Sequence, residues 1–310
     1  MSILLCGSLA YDTIMVFPDH FKHHILAEHI HQLSVAFLVP DMRREFGGTA
    51  GNIAYNLVQL DEKPLIMATV GDDFAPYRTR LESWDLDLQG VRTILDSYTA
   101  QAFITTDLDD NQITAFHPGA MTHSHTNSVK NMTGVTLGVV SPDGREGMMG
   151  HARAFHESGI PFLFDPGQGL PLFSGPELLT MIDQASWLAV NDYEAQLLAD
   201  KTGVPFEHLA HRVEAAIMTR GAAGSRIFTQ QTMLDIPSVP AQEVVDPTGC
   251  GDAYRAGLLY GLNHGWDWER SGRLASLLGS LKIAHRGGQN HRFNRASVDR
   301  SLRDRFGFGL

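Results

Sequence analysis

Short apolar runs recur along the chain, and nearly all of them end on small or polar residues. Ile3-Leu4-Leu5-Cys6 runs into Gly7-Ser8, residues 65–70 into Gly71-Asp72-Asp73, and residues 135–140 into Ser141-Pro142-Asp143. Phe162-Leu163-Phe164 meets Asp165-Pro166, residues 187–190 meet Asn191-Asp192, residues 215–218 meet Thr219-Arg220-Gly221, and Val244-Val245 meets Asp246-Pro247-Thr248-Gly249. Apolar runs of this length read as strands buried on both faces. Helix-like stretches at 52–60, 78–84, 145–157, 193–201 and 251–263 separate them. The alternation predicts an α/β fold with a mostly parallel sheet. Such sheets bind ligands beyond the carboxyl ends of their strands, which is where the Gly, Ser, Asp and Asn punctuation falls.

Two stretches break the alternation. Residues 99–121 carry a period of two on either side of Asp107-Leu108-Asp109-Asp110-Asn111, the pattern of a β-hairpin. Residues 13–17 and 31–39 read as further strands. The expectation is one domain, 1–310, whose α/β body carries a small β-sheet lid built from about 13–45 and 97–121. Ordinary surface hairpins are the alternative.

Composition narrows the function. With 24 Lys and Arg against 35 Asp and Glu, the 310-residue chain has a formal charge of −11, the wrong sign for a broad polyanion binder. A single phosphate-bearing ligand is not excluded, because it needs only a few local donors. No nucleic-acid partner is expected. Two cysteines, Cys6 and Cys250, suit a reducing compartment. The first ten residues have no basic n-region, and no apolar run approaches the ~20 residues of a membrane span. A cytoplasmic protein without a membrane partner is the expectation.

The segment richest in chemistry is Asp246-Pro247-Thr248-Gly249-Cys250-Gly251-Asp252-Ala253-Tyr254-Arg255-Ala256-Gly257. An apolar strand feeds two glycines, an acid and then a helix. The glycines let the backbone approach a ligand, and the free N–H groups of the helix start attract an anion. A carboxylate at the same place would repel a phosphate, but it suits a hydroxyl beside one. Asp252 could then take a proton while the N–H groups of 249–251 hold phosphoryl oxygens. The alternative is a glycine turn with Asp252 as a dipole-favoured acid. Neither a dinucleotide loop nor a P-loop occurs in the chain. A second segment, Gly47-Gly48-Thr49-Ala50-Gly51-Asn52-Ile53-Ala54, also places glycines before a helix. Asn52 there reads as a helix cap on its own, or as a partner for vicinal hydroxyls.

Together the two segments resemble the paired signatures of the ribokinase/PfkB carbohydrate kinase family, D-P-T-G-C-G-D-A-Y-R-A-G-L (246–258) and G-G-T-A-G-N-I-A (47–54), in that order and over nearly the whole chain. Within the family the likeness is to bacterial adenosine kinases of the mycobacterial type, through 15–21, 27–39, 115–121 and 191–194. The resemblance implies a ribokinase-like three-layer α/β/α sandwich with a mostly parallel central sheet and a β-sheet lid. It implies transfer of a phosphoryl group from ATP, with Mg²⁺, to the 5′-hydroxyl of a nucleoside, adenosine first. The alternative acceptor is ribose, fructose or a related sugar. The need for a monovalent cation such as K⁺, and the choice between monomer and homodimer, stay open.

The resemblance also implies roles for single residues. Asp252 matches the general base, and Gly249, Cys250 and Gly251 match the anion hole. Asp12, Asn52 and Gly48 match positions at the sugar hydroxyls, and Ser8 matches a nearby pocket position. Asn191 and Glu194 match an N-x-x-E motif that organises water, Mg²⁺ and phosphate, so Glu194 would meet the metal through water. Thr219, Gly221 and Gly224 match the nucleotide-side strand and turn. Phe103 matches a lid aromatic that stacks on the base, with Phe37 and Phe116 as weaker candidates and Met121 as a further contact. Cys250 departs from the family's usual Ala or Val, and its helix-start setting would lower the thiol pKa. His20, His23, His24, His29 and His31 crowd one segment without the spacing of a metal site, and read as lid surface.

Overall fold

The computed structural model describes residues 2–25, 35–109 and 111–310. In chain order its strands are β1 (Ser2–Cys6), β2 (Ala10–Val16), β3 (Asp41–Gly47), β4 (Leu65–Val70), β5 (Val91–Thr93), β6 (Ala100–Thr106), β7 (Gln112–His117), β8 (Val135–Val140), β9 (Phe162–Phe164), β10 (Trp187–Asn191), β11 (Ala215–Thr219), β12 (Ser225–Thr229) and β13 (Met233–Ile236). Its α-helices are α1 (Thr49–Val58), α2 (Ala75–Glu82), α3 (Arg145–Glu157), α4 (Gly175–Gln184), α5 (Asp192–Thr202), α6 (Phe206–Ala210), α7 (Cys250–Asn263), α8 (Trp268–Ile283) and α9 (Arg295–Phe306).

Nine strands form one sheet in the order β13-β12-β11-β10-β9-β8-β1-β4-β5, parallel from β11 to β5 and antiparallel at the β11-β12-β13 edge. Adjacent residues of a strand point to opposite faces. Ile3 and Leu5 therefore enter one core, with α1, α2, α7, α8 and α9, while Leu4 and Cys6 enter another, with α3 to α6. This double burial is why the parallel strands read as unbroken apolar runs. Layers of helix, sheet and helix result, as the sequence implied.

The lid is a second sheet, ordered β3-β2-β6-β7. The hairpin expected at 99–121 is β6-β7, with Gln101 opposite His117 and Thr106 opposite Gln112. The strand expected at 31–39 is not there in its described part. Residues 35–39 have no regular structure, residues 31–34 lie outside the described chain, and the lid's edge strand is β3 instead. β3 carries Asp41, Arg43, Arg44 and Glu45, so its partly exposed, charged pattern hides it from a search for apolar alternation. No described helix is long and apolar enough to cross a membrane.

Helices α7 and α8 pack through glycine. A Cβ on Gly257 would come 2.5 Å from the Cα and 2.7 Å from the N of Ala275, both backbone atoms that cannot swing away. This contact sets the depth of α7 and so the height of its first turn. We expect Gly257→Ala to destabilise the fold by about 1–3 kcal/mol, read as a lowered urea midpoint. An unchanged midpoint would show that the two helices separate freely.

Candidate active site

The strand ends of the large sheet, the underside of the lid and the first turn of α7 meet at one place. Gly249, the N-cap of α7, has φ +78°, a conformation that favours glycine, and a Cβ there would come 3.0 Å from the Cα of Gly288. The N–H of Cys250 donates to the Pro247 carbonyl at 3.1 Å, but those of Gly249, Gly251 and Asp252 have no acceptor among the described residues. Three N–H groups at the positive end of a fourteen-residue helix are a ready anion site.

Asp252 stands in that first turn, part-exposed, and its Oδ2 accepts a 2.8 Å hydrogen bond from Nδ2 of Asn52. Loss of water raises its pKa to about 7; Asp165 and Asp12 push the same way, while Asn52 and Arg255 pull it down. The first cause is burial, and the acids gathered at the strand ends add to it. Asn52 is not a cap: α1 begins at Thr49, capped by Gly48, and Asn52 sits inside the helix, buried. Its Oδ1 accepts from Gln289 Nε2 at 3.1 Å, and Gln289 also donates to the Tyr77 hydroxyl at 2.6 Å. The amide is thus oriented by one neighbour to donate to Asp252.

On the lid side, Asp12 lies opposite Glu45 across β2-β3 and close to Gly47, where a Cβ would come 2.5 Å from its Oδ2. Burial, Glu45 and Asp246 push the Asp12 carboxyl up to about 6. Like charges facing each other are unfavourable unless something else satisfies them, and hydroxyl donors of a ligand would. Gly48 has φ +86° and no room for a Cβ, which would meet the Ser8 carbonyl oxygen at 2.5 Å. Ser8 is buried and its Oγ accepts from the Thr49 N–H at 3.1 Å. Ser8 and Gly48 therefore join β1 to α1 beside the site.

The lid aromatics fall differently from the expectation. Cross-strand partners share a face. Asp12 pairs with Ala102, and Ala102 with Phe116, whereas Phe103 pairs with Thr13. Phe116 is therefore on the face of Asp12 and Phe103 on the opposite one. A period of two made the strand legible but could not tell its two faces apart. Phe37 packs against Phe17 and Phe21, with ring centroids 4.7 and 5.1 Å apart, in a cluster at the lid tip. Met121, half-buried, lies in the 3₁₀ segment Gly119–Thr126, and its carbonyl oxygen closes on Gly144. The histidines near Phe17 hold local contacts: His23 and His24 each bind Asp19 at 2.9 Å, and His20 binds Asp109 at 2.9 Å. His29 and His31 lie outside the described residues. His20, Asp107 and Asp109 bring ligand-type atoms within 4.8 Å of one another, but Asp107 is occupied by the N–H groups of Phe21, Asp109 and Asn111.

Toward the antiparallel edge, Asn191 and Glu194 form a capping box at the start of α5: Asn191 Oδ1 accepts from the Glu194 N–H at 2.7 Å, and Glu194 Oε2 accepts from the Asn191 N–H at 2.8 Å. Glu194 Oε1 has no protein partner among the described residues. Burial and the neighbouring Asp165 raise the Glu194 pKa. Thr219 pairs with Asn191 across β10-β11, and Gly221 and Gly224 turn the chain into β12. At Gly224, φ is +82° and a Cβ would lie 2.2 Å from the Ile236 carbonyl oxygen.

Cys250 corrects the expectation of a reactive thiol. Burial is the first cause, helped by Asp246 and Asp252, and the pKa rises to about 11 although Lys282 opposes. Two residues were overlooked in the sequence. Arg255 and Asp165, both buried, form a two-pronged pair with N–O distances of 3.0 Å. Arg255 follows Asp252 by one helical turn, and Asp165 directly follows β9. That spacing was the available signal, and strand-end punctuation concealed it.

The chain matches the model of the pfkB family carbohydrate kinases over residues 9–293. It is similar to Burkholderia thailandensis nucleoside kinase in complex with inosine, with 51% identity, 99% of each chain covered and a TM-score of 0.91. The complex of the same protein with ADP-inosine gives 51% identity, 99% and 97% coverage and a TM-score of 0.88. A nucleoside kinase of Methanocaldococcus jannaschii is 31% identical over 255 residues, 82% of this chain and 84% of that one.

The raised pKa of Asp252 has a consequence for stability. The native state holds that proton between the ordinary carboxylate value and about pH 7, so the group's contribution is present at low pH and is lost as pH rises through the folded value. Asp252→Asn, which keeps the shape without the charge, should raise the melting temperature relative to the parent more at about pH 8 than at about pH 5. A difference that is the same at both pH values would mean that Asp252 titrates normally.

Proposed function

Because the chain belongs to the pfkB family of carbohydrate kinases, and is a phosphotransferase with a hydroxyl acceptor, we infer that it phosphorylates the 5′-hydroxyl of a purine nucleoside at the expense of ATP. The observation that carries the nucleoside reading is the 51% identity, over 99% of both chains, to a nucleoside kinase whose structures are complexes with inosine and with ADP-inosine. Adenosine is the acceptor named by the sequence resemblance. The sugar-kinase alternative has weaker support, since the sugar-kinase relatives are more distant, such as a fructokinase at 23% identity.

The geometry suits this chemistry. The nucleoside would lie between the body and the lid face that carries Asp12 and Glu45, its ribose hydroxyls donating to Asp12. Phe116, on the same lid face, is the better placed aromatic for the base. Asp252 accepts the proton of the 5′-hydroxyl, and Asn52 holds the carboxylate that does so. The N–H groups of Gly249, Gly251 and Asp252 receive the phosphoryl oxygens as charge develops on them. With a loose transition state, positioning and charge stabilisation do most of the work. The nucleotide would lie along Asn191, Thr219, Gly221 and Gly224.

Magnesium fits the donor set. It is commonly held by one or two carboxylates with waters and substrate phosphates, and Glu194 keeps one carboxylate oxygen unpartnered. Bound there through water, it would neutralise phosphate charge. Asp165 is less available, because both of its oxygens accept from Arg255.

Two measurements test the reading. ADP release with ATP and Mg²⁺ should be fastest with adenosine, inosine or guanosine, and slower by about tenfold or more with cytidine, ribose and fructose. Turnover confined to free sugars would refute the nucleoside assignment. Asp252→Asn should lower kcat by about 10²-fold or more while the Kd for ATP changes by less than about threefold. The parent kcat/KM should rise with pH and level off above about pH 7, following ionisation of Asp252. Turnover by the Asn variant within threefold of the parent would remove Asp252 as the base.

A further inference from the structure

Lys282 lies in the last turn of α8, and its side chain has no exposed surface. A lysine is almost never wholly buried without partners for its charge. Here Nζ donates to the carbonyl oxygen of Asp246 at 2.7 Å and to that of His285 at 2.9 Å, and no carboxylate comes within ion-pair distance of it among the described residues. Main-chain carbonyl oxygens closing on one positive charge are the surroundings of a bound monovalent cation rather than of a salt bridge.

The position of those carbonyls gives the charge a task. Asp246 opens the loop that ends at Gly249, the cap of α7. Besides Lys282, the loop is tied to its neighbours by the Asp246 N–H donating to the Ile283 carbonyl at 3.1 Å, and by the Gly287 N–H donating to Asp246 Oδ2 at 2.8 Å. The Thr248 N–H donates to Asp246 Oδ1, also at 2.8 Å. The ammonium thus fastens the segment that carries Gly249, Gly251 and Asp252 to the end of α8. Its field reaches the first turn of α7. Burial pulls the Lys282 pKa down, while Cys250, Asp246 and Asp252 all favour the charged form.

We propose that Lys282 is a tethered internal cation that fixes the loop 246–249 in its anion-binding conformation, so that phosphoryl transfer by this chain needs no soluble monovalent cation. Lys282 is a positioning residue, since it touches loop carbonyls and none of the reacting atoms. The inference rests on the reading that the first turn of α7 receives the phosphoryl group.

The test uses the full chain with ATP, Mg²⁺ and a purine nucleoside, in chloride salts of potassium, sodium or tetramethylammonium at equal ionic strength. The parent should turn over at rates within about twofold of one another in all three, and bind a non-hydrolysable ATP analogue equally. Activation by potassium of more than about threefold over tetramethylammonium would overturn the proposal. Lys282→Met, which keeps the length of the stem, should lose about tenfold or more in kcat. Potassium or ammonium, but not tetramethylammonium, should restore part of it. A variant within threefold of the parent, or an equal response to all cations, would also overturn the proposal. If Lys282→Met does not fold, the parent's response to the salts decides. Absence of turnover with every acceptor would instead count against the proposed function, and the salt dependence of analogue binding would still judge Lys282.

Discussion

Everything near the strand ends answers to one electrostatic problem, the gathering of five carboxylates into a space with little water. Asp12, Asp165, Glu194, Asp246 and Asp252 come from four different segments of the chain and converge there. Removing a carboxylate from water is costly unless a cation or several donors accompany it. The fold meets this in three ways. Asp165 is given a guanidinium, with two 3.0 Å bonds to Arg255. Asp246 is given backbone N–H groups, from Thr248 and Gly287, at 2.8 Å each, and Lys282 stands behind it. Asp12 and Asp252 are left under-compensated, with pKa values pushed to about 6 and about 7. Glu194 is held by the Asn191 N–H at 2.8 Å and keeps one oxygen unpartnered among the described residues. Asp12 and Asp252 are the acids that the proposed reaction sets against hydroxyl groups.

The architecture follows from bringing those segments together. Parallel strands end at one edge of the sheet, so β9 and β10 deliver Asp165 and the Asn191–Glu194 pair side by side. The helices of the other layer bring Asn52 and Asp252 to within a hydrogen bond although 200 residues separate them. That approach depends on small residues. Gly257 lets α7 settle on α8, and Gly288 leaves space for the Asn52 amide, which would lie 2.5 Å from any Cβ placed there. These two glycines, one between helices and one beside the amide, set the distances at the Asp252 carboxylate.

Much of this was legible in the sequence because the relevant signals are local. Strands buried on both faces write themselves as apolar runs, and the turns after them are polar. The two glycine-led helix starts were visible for the same reason. The parts that escaped are tertiary. Alternation located β6 but could not say which face carries Asp12, so the resemblance put Phe103 first for the base and Phe116 behind it, whereas Phe116 shares the face of Asp12. The helix start of Cys250 argued for a thiolate, but the loss of water and two nearby carboxylates outweigh a dipole. Asn52 looked like a cap because caps are a matter of sequence neighbours, whereas its partners Asp252 and Gln289 are remote. The pairing of Arg255 with Asp165 spans 90 positions, and the one-turn spacing of Arg255 from Asp252 did not reveal its partner.

The charge of the whole chain bears on this less than its arrangement. A net of −11 sets the sign of the surface, and residues 71–110 alone hold nine acids against three bases. None of those acids is among the five at the strand ends. A phosphate approaching the site meets the N-terminus of a fourteen-residue helix with three N–H groups that have no acceptor among the described residues, the guanidinium one turn along it, and the ammonium under its loop. These positive groups lie in the first turns of one helix and, for Lys282, at the end of the next helix against the loop before it. Screening by salt weakens distant surface charge far more than partly buried groups at contact range. A chain that is acidic overall can therefore hold a polyphosphate at one point, provided its few cations are fixed beside that point by hydrogen bonds rather than spread over the surface.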